Sequence, residues 1–222
     1  MKRIDVRGLE GAALSEALAP VVDHLAGGGL IGYPTATVYG FGGAASSSAV
    51  ERLARLKGRD PDRPFLLLVP DRDPLEALEW TPSARALAAG FWPGPLTLVL
   101  GDRAGVLPAA VRSRQGGVAV RRSGHPVVRA LLARAGHPIT STSANPPGAA
   151  PAIDADGCEA AWRAFGDGGE GLVIDAGPLP PSAASTIVDC LGEVPVVLRE
   201  GAISVDELRR VVPELLSTAP HP

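Results

Sequence analysis

Small hydroxyl side chains and cations recur in short segments, each of which stands at one end of an expected strand. The set comprises Thr35, Lys57, Arg59, Arg63, Arg121, Ser141, Ser143, Asn145, Ser185 and Arg199. Loops that leave the strands of an open α/β sheet converge at one edge, so we expect these side chains to line one site. The cations would bind a polyanion such as a triphosphate, with arginine able to bind bidentately. The hydroxyls and the amide would supply neutral donors and acceptors.

Several other kinds of chemistry are not supported by the sequence. It contains no P-loop pattern, no Gly-x-Gly-x-x-Gly after a strand, no Gly-x-Ser-x-Gly turn and no His-Glu-x-x-His pair. The 4 histidines are scattered, which argues against a Ser/His/Asp triad. Cys158 and Cys190 lack metal-ligand spacing, so we expect buried thiols and neither a disulfide nor a zinc site.

Lys57 is distinctive because it and Lys2 are the only lysines among 21 basic residues. In a chain that otherwise uses arginine, an internal lysine beside Gly58 suggests a need for a compact, flexible ammonium. A solvated cation at a helix end, favoured by the negative pole of the helix dipole, is the alternative. Both interpretations stay open at this point.

Composition limits the classes of protein to be considered. The chain has 222 residues, of which 45% are hydrophobic and 20% charged, and this indicates a globular protein with a real core. Its net charge of −3 argues against a basic coat for non-specific nucleic-acid binding. The start, MKRIDVRGLE, has no apolar run of signal-peptide length, and no later run is long enough to cross a membrane. We therefore expect a cytoplasmic protein without membrane contact.

Expected helices and strands alternate early in the chain, and strands follow one another near its end. The pattern predicts a helix over 13–26, another helix with a capping box at Ser48 and Glu51, and a closing helix over 205–216. Segment 33–43, YPTATVYGFGG, is expected to connect a strand to a helix. These elements predict an α/β protein of the α+β type, with a twisted mixed open sheet and helices packed on it.

The domain organisation follows from the absence of any shift in composition that would mark a linker. Residues 1–215 are expected to form a single domain. Residues 216–222 are expected to be a frayed C-terminal tail.

A set of 7 segments resembles, in order, the successive motifs of the YrdC-like family. They are PTATVYGFGG, KGRDPDRPFLLLV, FWPGPLTLVL, GVAVRRSGHPV, PITSTSANPPG, ASTIVD and VLREGAIS. The similarity runs from about Gly27 to Ser204. Its most specific part is the pairing of Lys57-Gly58-Arg59 with Ser143-Ala144-Asn145.

The resemblance implies a YrdC-like fold and the best-known activity of that family, the synthesis of threonylcarbamoyl-AMP. Such an enzyme combines L-threonine, bicarbonate and ATP, with Mg²⁺ carried by the nucleotide and no metal site built from protein side chains. A tRNA-modifying transferase complex accepts the product for the threonylcarbamoyladenosine modification of tRNA. A weak contact with tRNA itself is a further expectation.

The resemblance also implies roles for individual residues. The nucleotide site would be lined by Arg59, Arg63, Ser141, Asn145 and Arg199, with Lys57 on the phosphates. Threonine would be held by Thr35, Arg121, Ser143 and Ser185. Catalysis would depend on Lys57 and Arg59, and the glycines of segment 33–43 would let the backbone approach the ligand. Since side chains alternate along a strand, it stays open whether Arg121 or Arg122 faces the site.

Two other functions were weighed against this one. A protein of the same fold that binds RNA or the ribosome without catalysing the reaction is favoured by the basic run over 52–63 and opposed by the acidic net charge. Carbamoyl transfer in hydrogenase maturation is disfavoured, because the chain has neither the length nor the cysteines for the additional parts of that relative.

Overall fold

The computed structural model describes residues 1–59, 64–70, 75–166 and 170–218. Its strands are β1 Lys2–Asp5, β2 Leu30–Pro34, β3 Tyr39–Gly42, β4 Leu66–Leu68, β5 Leu96–Gly101, β6 Gly117–Arg121, β7 Ile139–Ser143, β8 Gly171–Asp175, β9 Thr186–Asp189, β10 Val196–Arg199 and β11 Leu216–Ser217. They form one sheet in the order β1-β8-β2-β3-β7-β4-β6-β5-β9-β10-β11. Parallel and antiparallel pairs both occur, so the predicted mixed open sheet is confirmed.

The helices pack on both faces of this sheet. They are α1 Gly11–Ala17, α2 Ala19–Ala26, α3 Ser47–Lys57, α4 Pro82–Phe91, α5 Pro126–Ala135, α6 Ala155–Ala164 and α7 Val205–Arg209. Short 3₁₀ segments lie at Leu75–Ala77 and Ala109–Val111. Within the described ranges, no helix combines the length and the apolar character that crossing a membrane requires.

Two hydrophobic cores lie on opposite faces of the sheet, and their unequal extent creates the site. The first contains side chains of α3, α4, α6 and α7 and runs as far as β10. The second, under α1, α2 and α5, reaches Leu68 of β4 but extends no further than that strand. Leu66 lies on the same face as Leu68, because side chains two apart point the same way, yet Leu66 lines an open cleft. Beyond β4, this face of the sheet is therefore left accessible to a ligand.

Segment 33–43 is not the simple connection that the sequence suggested. Strands β2 and β3 form an antiparallel hairpin through it. A Cβ atom added at Gly42 would lie 1.9 Å from the carbonyl oxygen of Thr140, and one at Gly40 would lie 2.8 Å from that of Thr142. These glycines therefore allow β3 and β7 to approach each other. Gly40 also lines the cleft, and its role in the approach of a ligand stays a prediction.

Two helix predictions are corrected, and the predicted N-terminus of a third helix is confirmed. The helix expected over 13–26 is divided into α1 and α2 at Leu18, since Pro20 belongs in the first turn of a new helix. The N-cap of α3 is Ser46, whose hydroxyl accepts a hydrogen bond from the amide of Ala49, so the capping box at Ser48 is wrong. The predicted capping box of α7, formed by Ser204 and Glu207, is present.

The C-terminal end of the described chain is more ordered than predicted. Helix α7 ends at Arg209, well before residue 216, and Pro213 cannot continue a helix because it has no N–H to donate. Leu216 and Ser217 then pair with β10 in parallel. The expected frayed tail is therefore wrong for these two residues, and 219–222 lie outside the described part.

Candidate active site

A cleft of about 350 Å³ lies on the open part of the sheet, next to the hairpin of β2 and β3. The strands that contribute to it are consecutive in the sheet: β3, β7, β4, β6, β5, β9 and β10. Its lining comprises Thr35, Thr37, Val38, Gly40, Arg59, Pro64, Leu66, Thr97, Ala119, Arg121, Ser141, Thr142, Ser143, Pro151, Ala184, Ser185, Ile187 and Arg199. Seven of the residues predicted from the sequence are thus brought together from six separate segments.

Arg121, at the end of β6, has hydrogen-bonding capacity that the protein does not use. Only 2% of the residue is exposed, and its Nε donates to the carbonyl of Gly94 over 2.9 Å. Its Nη2 atom is buried and has no hydrogen-bond partner in the described structure. Burial lowers the pKa of the guanidinium to about 10, and the nearby Arg199 adds to this effect. An anionic ligand would relieve both costs.

The choice between Arg121 and Arg122 is decided by the strand. Arg121 lines the cleft, whereas the guanidinium of Arg122 lies 6.0 Å from the centre of the Trp92 ring. The carbonyl of Arg122 also accepts a hydrogen bond from the amide of Gly94. Consecutive side chains of an extended chain point to opposite faces, and of these two arginines it is Arg121 whose side chain lines the cleft.

Ser185 and Arg199 form a linked pair at the β9 and β10 side of the cleft. Arg199 donates through Nε and Nη2 to the carbonyl of Ser185, at 3.2 and 2.7 Å, and through Nη2 to the hydroxyl at 3.3 Å. The hydroxyl of Ser185 also lies 3.0 Å from that of Thr97 on β5. Ser185 and Thr97 are both more than 90% buried. This pairing fixes the orientation of Arg199 relative to the sheet.

Thr35 stabilises the turn of the hairpin. Its hydroxyl donates to the carbonyl of Val38 over 2.6 Å and accepts from the amides of Thr37 and Val38, both at 3.3 Å. Thr35 and Thr37 are both buried and both line the cleft. Since its proton is donated and both of its lone pairs accept backbone N–H groups, the Thr35 hydroxyl is fully engaged by the turn.

Lys57 ends α3 and ties this helix to the loop that follows β7. Its ammonium donates to the carbonyl of Ser143 over 3.0 Å and to that of Asn145, and it lies 5.0 Å from the centre of the Phe165 ring. Burial, followed by the charge of Arg59, lowers the pKa of Lys57 to about 8. Two of three ammonium N–H groups therefore hold the loop, and Lys57 is not among the lining residues of the cleft.

The Ser143 and Asn145 side chains bind one another. The hydroxyl of Ser143 donates to Oδ1 of Asn145 over 2.5 Å, and Nδ2 of Asn145 donates to the carbonyl of Ala149 over 2.7 Å. Ser143 lines the cleft, as does Ser141 two residues earlier on the same face of β7. Asn145 is placed behind them and does not line it.

Arg59 lines the cleft just beyond α3. Its guanidinium lies 4.7 Å from the centre of the Phe65 ring, and Nη2 donates to the carbonyl of Pro64 over 3.0 Å. Arg63, which the sequence analysis assigned to the same ligand, lies outside the described residues.

The charge of the cleft is entirely positive along its described lining. Arg59, Arg121 and Arg199 contribute to it, and no Asp or Glu does so. The described part of the chain contains no group of three or more His, Cys, Asp or Glu residues that could hold a metal ion. Such a surface suits an anion, and a cation would have to enter as part of an anionic complex.

Sequence analysis missed several polar residues of the cleft. Thr37 lies in the hydroxyl-rich segment that was noted, so its composition was the available signal. Thr97 lies within β5, where alternation alone indicates that it shares a face with Val99. Thr142 contributes to the cleft from between Ser141 and Ser143, although its side chain lies on the opposite face of β7 from theirs. Nothing local in the sequence distinguishes a strand threonine that faces a ligand from one that faces a helix.

The chain matches a known protein family along most of its length. The family model Sua5/YciO/YrdC, described as telomere recombination, matches residues 23–201. A "putative threonylcarbamoyl-AMP synthase" of Mycobacterium tuberculosis, strain H37Rv, is 38% identical over 201 residues, which cover 89% of this chain and 90% of the relative. The "threonylcarbamoyl-AMP synthase" of Bacillus subtilis, strain 168, is 33% identical over 186 residues, which cover 82% of this chain and 53% of the relative.

Solved structures agree with these matches. The crystal structure of P. abyssi Sua5 complexed with L-threonine superposes with a TM-score of 0.86 at 30% identity, and the match covers 98% of this chain and 62% of that one. The chain thus spans about half the length of the Bacillus relative and most of the mycobacterial one.

Proposed function

The chain belongs to the Sua5/YciO/YrdC family, and on that premise we propose that it is a threonylcarbamoyl-AMP synthase. This activity is a nucleotidyl transfer that joins L-threonine, bicarbonate and ATP into threonylcarbamoyl-adenylate. The observation that carries the proposal is the buried Arg121, whose Nη2 has no hydrogen-bond partner among the described residues and which lines a cleft with no acidic side chain in its described lining.

The reaction needs placement and charge more than it needs a nucleophilic side chain. The amine nitrogen of threonine forms a bond to the carbon of bicarbonate, and a hydroxide leaves as water after proton transfer, which gives a carbamate. A carbamate oxygen then attacks the α-phosphorus of ATP, and the bond to the β-phosphate bridging oxygen breaks to release pyrophosphate. Held reactants lose little further entropy, and fixed cations stabilise the charge that develops on the pyrophosphate. A cleft lined by arginines and hydroxyls suits these steps.

For the threonine end, we assign the substrate carboxylate to Arg121. A planar guanidinium binds a carboxylate through two parallel N–H groups, and Arg121 has a buried Nη2 to offer. The P. abyssi protein is a relative whose structure contains L-threonine, and this supports threonine as the amino acid. Ser143 and Ser185 complete the proposed threonine site as hydrogen-bonding neighbours, and Thr35 contributes to it by shaping the turn that lines the cleft.

For the nucleotide end, we assign the phosphates to Arg59 and Arg199, which both line the cleft. We assign Ser141, which lines the same cleft, a hydrogen bond to the nucleotide, and Asn145 would act through the loop that it stabilises. The contacts of Arg63 and of the third Lys57 N–H with phosphate stay predictions. Mg²⁺ would be held by the phosphates and water, because the described lining offers hydroxyls and no carboxylate.

The product is a mixed anhydride that water hydrolyses, so it has to pass to an acceptor. We propose that the acceptor system is a tRNA-modifying transferase complex, which uses the threonylcarbamoyl group to make threonylcarbamoyladenosine. A cytoplasmic location and a weak contact with tRNA belong to the same proposal.

Pyrophosphate release from ATP is the experiment that tests this function. We expect release only when L-threonine and bicarbonate are both present, and L-serine should support less of it because it lacks the methyl group. One methyl in an apolar pocket accounts for roughly 10- to 200-fold discrimination. Pyrophosphate release that does not depend on L-threonine would contradict the proposal. The absence of release, together with tight binding of RNA, would favour the alternative of a non-catalytic RNA-binding protein.

A further inference from the structure

The hydroxyl groups of Thr97 and Ser185 form a buried pair that the proposed function leaves partly unexplained. Thr97 is 1% exposed and Ser185 is 5% exposed, yet both residues line the cleft. Their oxygens are 3.0 Å apart, and either one could be the donor. Arg199 also donates to the Ser185 hydroxyl, at 3.3 Å.

The number of protons on this pair determines what it can offer to a ligand. Each hydroxyl has one proton and two acceptor lone pairs. If Ser185 donates to Thr97, the proton of Thr97 and one of its lone pairs are unused. If Thr97 donates to Ser185, the lone pairs of Ser185 are filled by Thr97 and Arg199, its proton is unused, and Thr97 keeps both lone pairs. In either arrangement, the pair presents one donor and at least one acceptor.

An alcohol is the ligand group that matches such a pair, because it both donates and accepts, whereas an ionised carboxylate only accepts. Arg121, on the strand next to Thr97, already suits the carboxylate. Ile187 pairs with Thr97 on the other side, and it lines the cleft together with Ala119 as an apolar surface for a methyl group.

We propose that Thr97 and Ser185 form the subsite for the β-hydroxyl of L-threonine, and that Thr97 is a specificity-determining residue. This inference rests on the proposed function. The hydroxyl pair would reject an amino acid in which a methyl replaces the hydroxyl, since burying the pair against it leaves a donor and an acceptor without partners. L-valine is such an analogue of L-threonine, with nearly the same shape.

The experiment compares the binding of L-threonine and L-valine to the intact protein by calorimetry, without ATP. In the wild type we expect L-valine to bind at least ~100-fold more weakly. Thr97→Val keeps the β-branched shape suited to a strand and should weaken L-threonine binding about tenfold. The ratio of the affinities for L-threonine and L-valine should fall by at least the same factor. Thr97→Ser should retain the preference, because it keeps the hydroxyl.

Two further variants separate specificity from general damage. Thr218→Val is the matched control, since its hydroxyl donates to the carbonyl of Val197 away from the cleft lining, and it should leave the preference unchanged. Ser185→Ala should narrow the preference as Thr97→Val does, and it provides a second test if the valine variant fails to fold.

The outcomes distinguish the two claims. A wild type that binds threonine, with a preference over valine that survives both Thr97→Val and Ser185→Ala, overturns the hydroxyl subsite and leaves the proposed function intact. A wild type that neither binds threonine nor releases pyrophosphate in its presence overturns the function and the subsite together.

Discussion

Two cationic regions border the cleft, and they differ in how much of their hydrogen-bonding capacity remains for a ligand. Arg121 on β6 donates once to Gly94 and keeps a buried N–H without a partner in the described structure. Lys57 at the end of α3 donates to the carbonyls of Ser143 and Asn145. Both side chains have a lowered pKa because burial disfavours their charge.

The difference shows that a motif residue can act by binding a ligand or by holding the residues that do so. In the ligand-free protein, the burial of the Arg121 guanidinium, only partly paired within the described structure, lowers the free energy of unfolding. The burial becomes favourable when an anion binds to the guanidinium. The ammonium of Lys57 satisfies backbone carbonyls whether or not a ligand is present. Substitution should therefore affect binding at Arg121 and folding stability at Lys57.

The largest expected effect is on threonine binding by Arg121→Met. We expect affinity for L-threonine to fall by about 1.5–3 kcal/mol, because a charged hydrogen-bonding partner is lost. The free energy of unfolding without ligand should change by less than about 1 kcal/mol, since the variant also removes a buried, unpaired cation. Calorimetry and urea unfolding measure the two quantities.

Arg122→Met is the matched control for that variant, because Arg122 is the strand neighbour that faces Trp92. It should leave threonine affinity nearly unchanged. Arg121→Lys should not restore binding, since an ammonium lacks the planar pair of donors. Equal losses for the methionine variants at both positions would remove the distinction between the two arginines.

Lys57→Met should show the opposite pattern. We expect the free energy of unfolding to fall by about 1–3 kcal/mol, because two partly buried carbonyls lose their donor. Binding of L-threonine should weaken less than in Arg121→Met. If the variant has the free energy of unfolding of the wild type but no longer binds ATP, Lys57 instead contacts the phosphates.

A smaller effect is expected at the hairpin turn, where Thr35 resembles Lys57 in being engaged by the protein. Thr35→Val removes a hydroxyl that makes three hydrogen bonds to the turn backbone, so the free energy of unfolding should fall by about 1 kcal/mol. Thr37→Val should cost less stability, because its hydroxyl has one contact, at 3.4 Å, within the described residues. Thermal unfolding of the two variants tests this ordering, and a reversed ordering would contradict the structural role of Thr35.

The smallest effect is a pH dependence from Lys57. Its pKa is about 8 in the folded protein, compared with 10.5 for the ordinary group, because burial and Arg59 disfavour the charge. Between these values the unfolded chain binds the proton more tightly, so this residue makes the free energy of unfolding rise with pH. The wild type should therefore gain stability relative to Lys57→Met between about pH 7 and about pH 9.5, whereas parallel curves would show that Lys57 does not titrate there.

Much of the fold was predictable because local signals were strong. The cap at Ser204, Pro126 at the start of α5 and the left-handed Gly58 and Gly136 after α3 and α5 act within a few residues. The hairpin of β2 and β3 was missed because Tyr33, Tyr39 and Phe41 are apolar or aromatic among glycines, and their burial depends on distant elements.

The residues of the site were predictable as a set, but their individual roles were not. Types and order within the chain already indicated Thr35, Arg59, Arg121, Ser185 and Arg199, and the cleft brings them together. The sequence did not indicate that Asn145 lies behind the cleft or that Thr97 lies in it, since both facts depend on register between strands far apart in the chain.

The sequence by itself determined which residue types were available, the mixed α/β class and the family. Those properties follow from periodicity, caps and motifs that are local along the chain. The three-dimensional arrangement was needed to show that, among the described residues, Arg121 has an N–H without a partner, whereas Lys57 donates to two carbonyls. The reason is that a hydrogen bond requires both partners within about 3.5 Å, and 86 residues separate Lys57 from Ser143 along the chain.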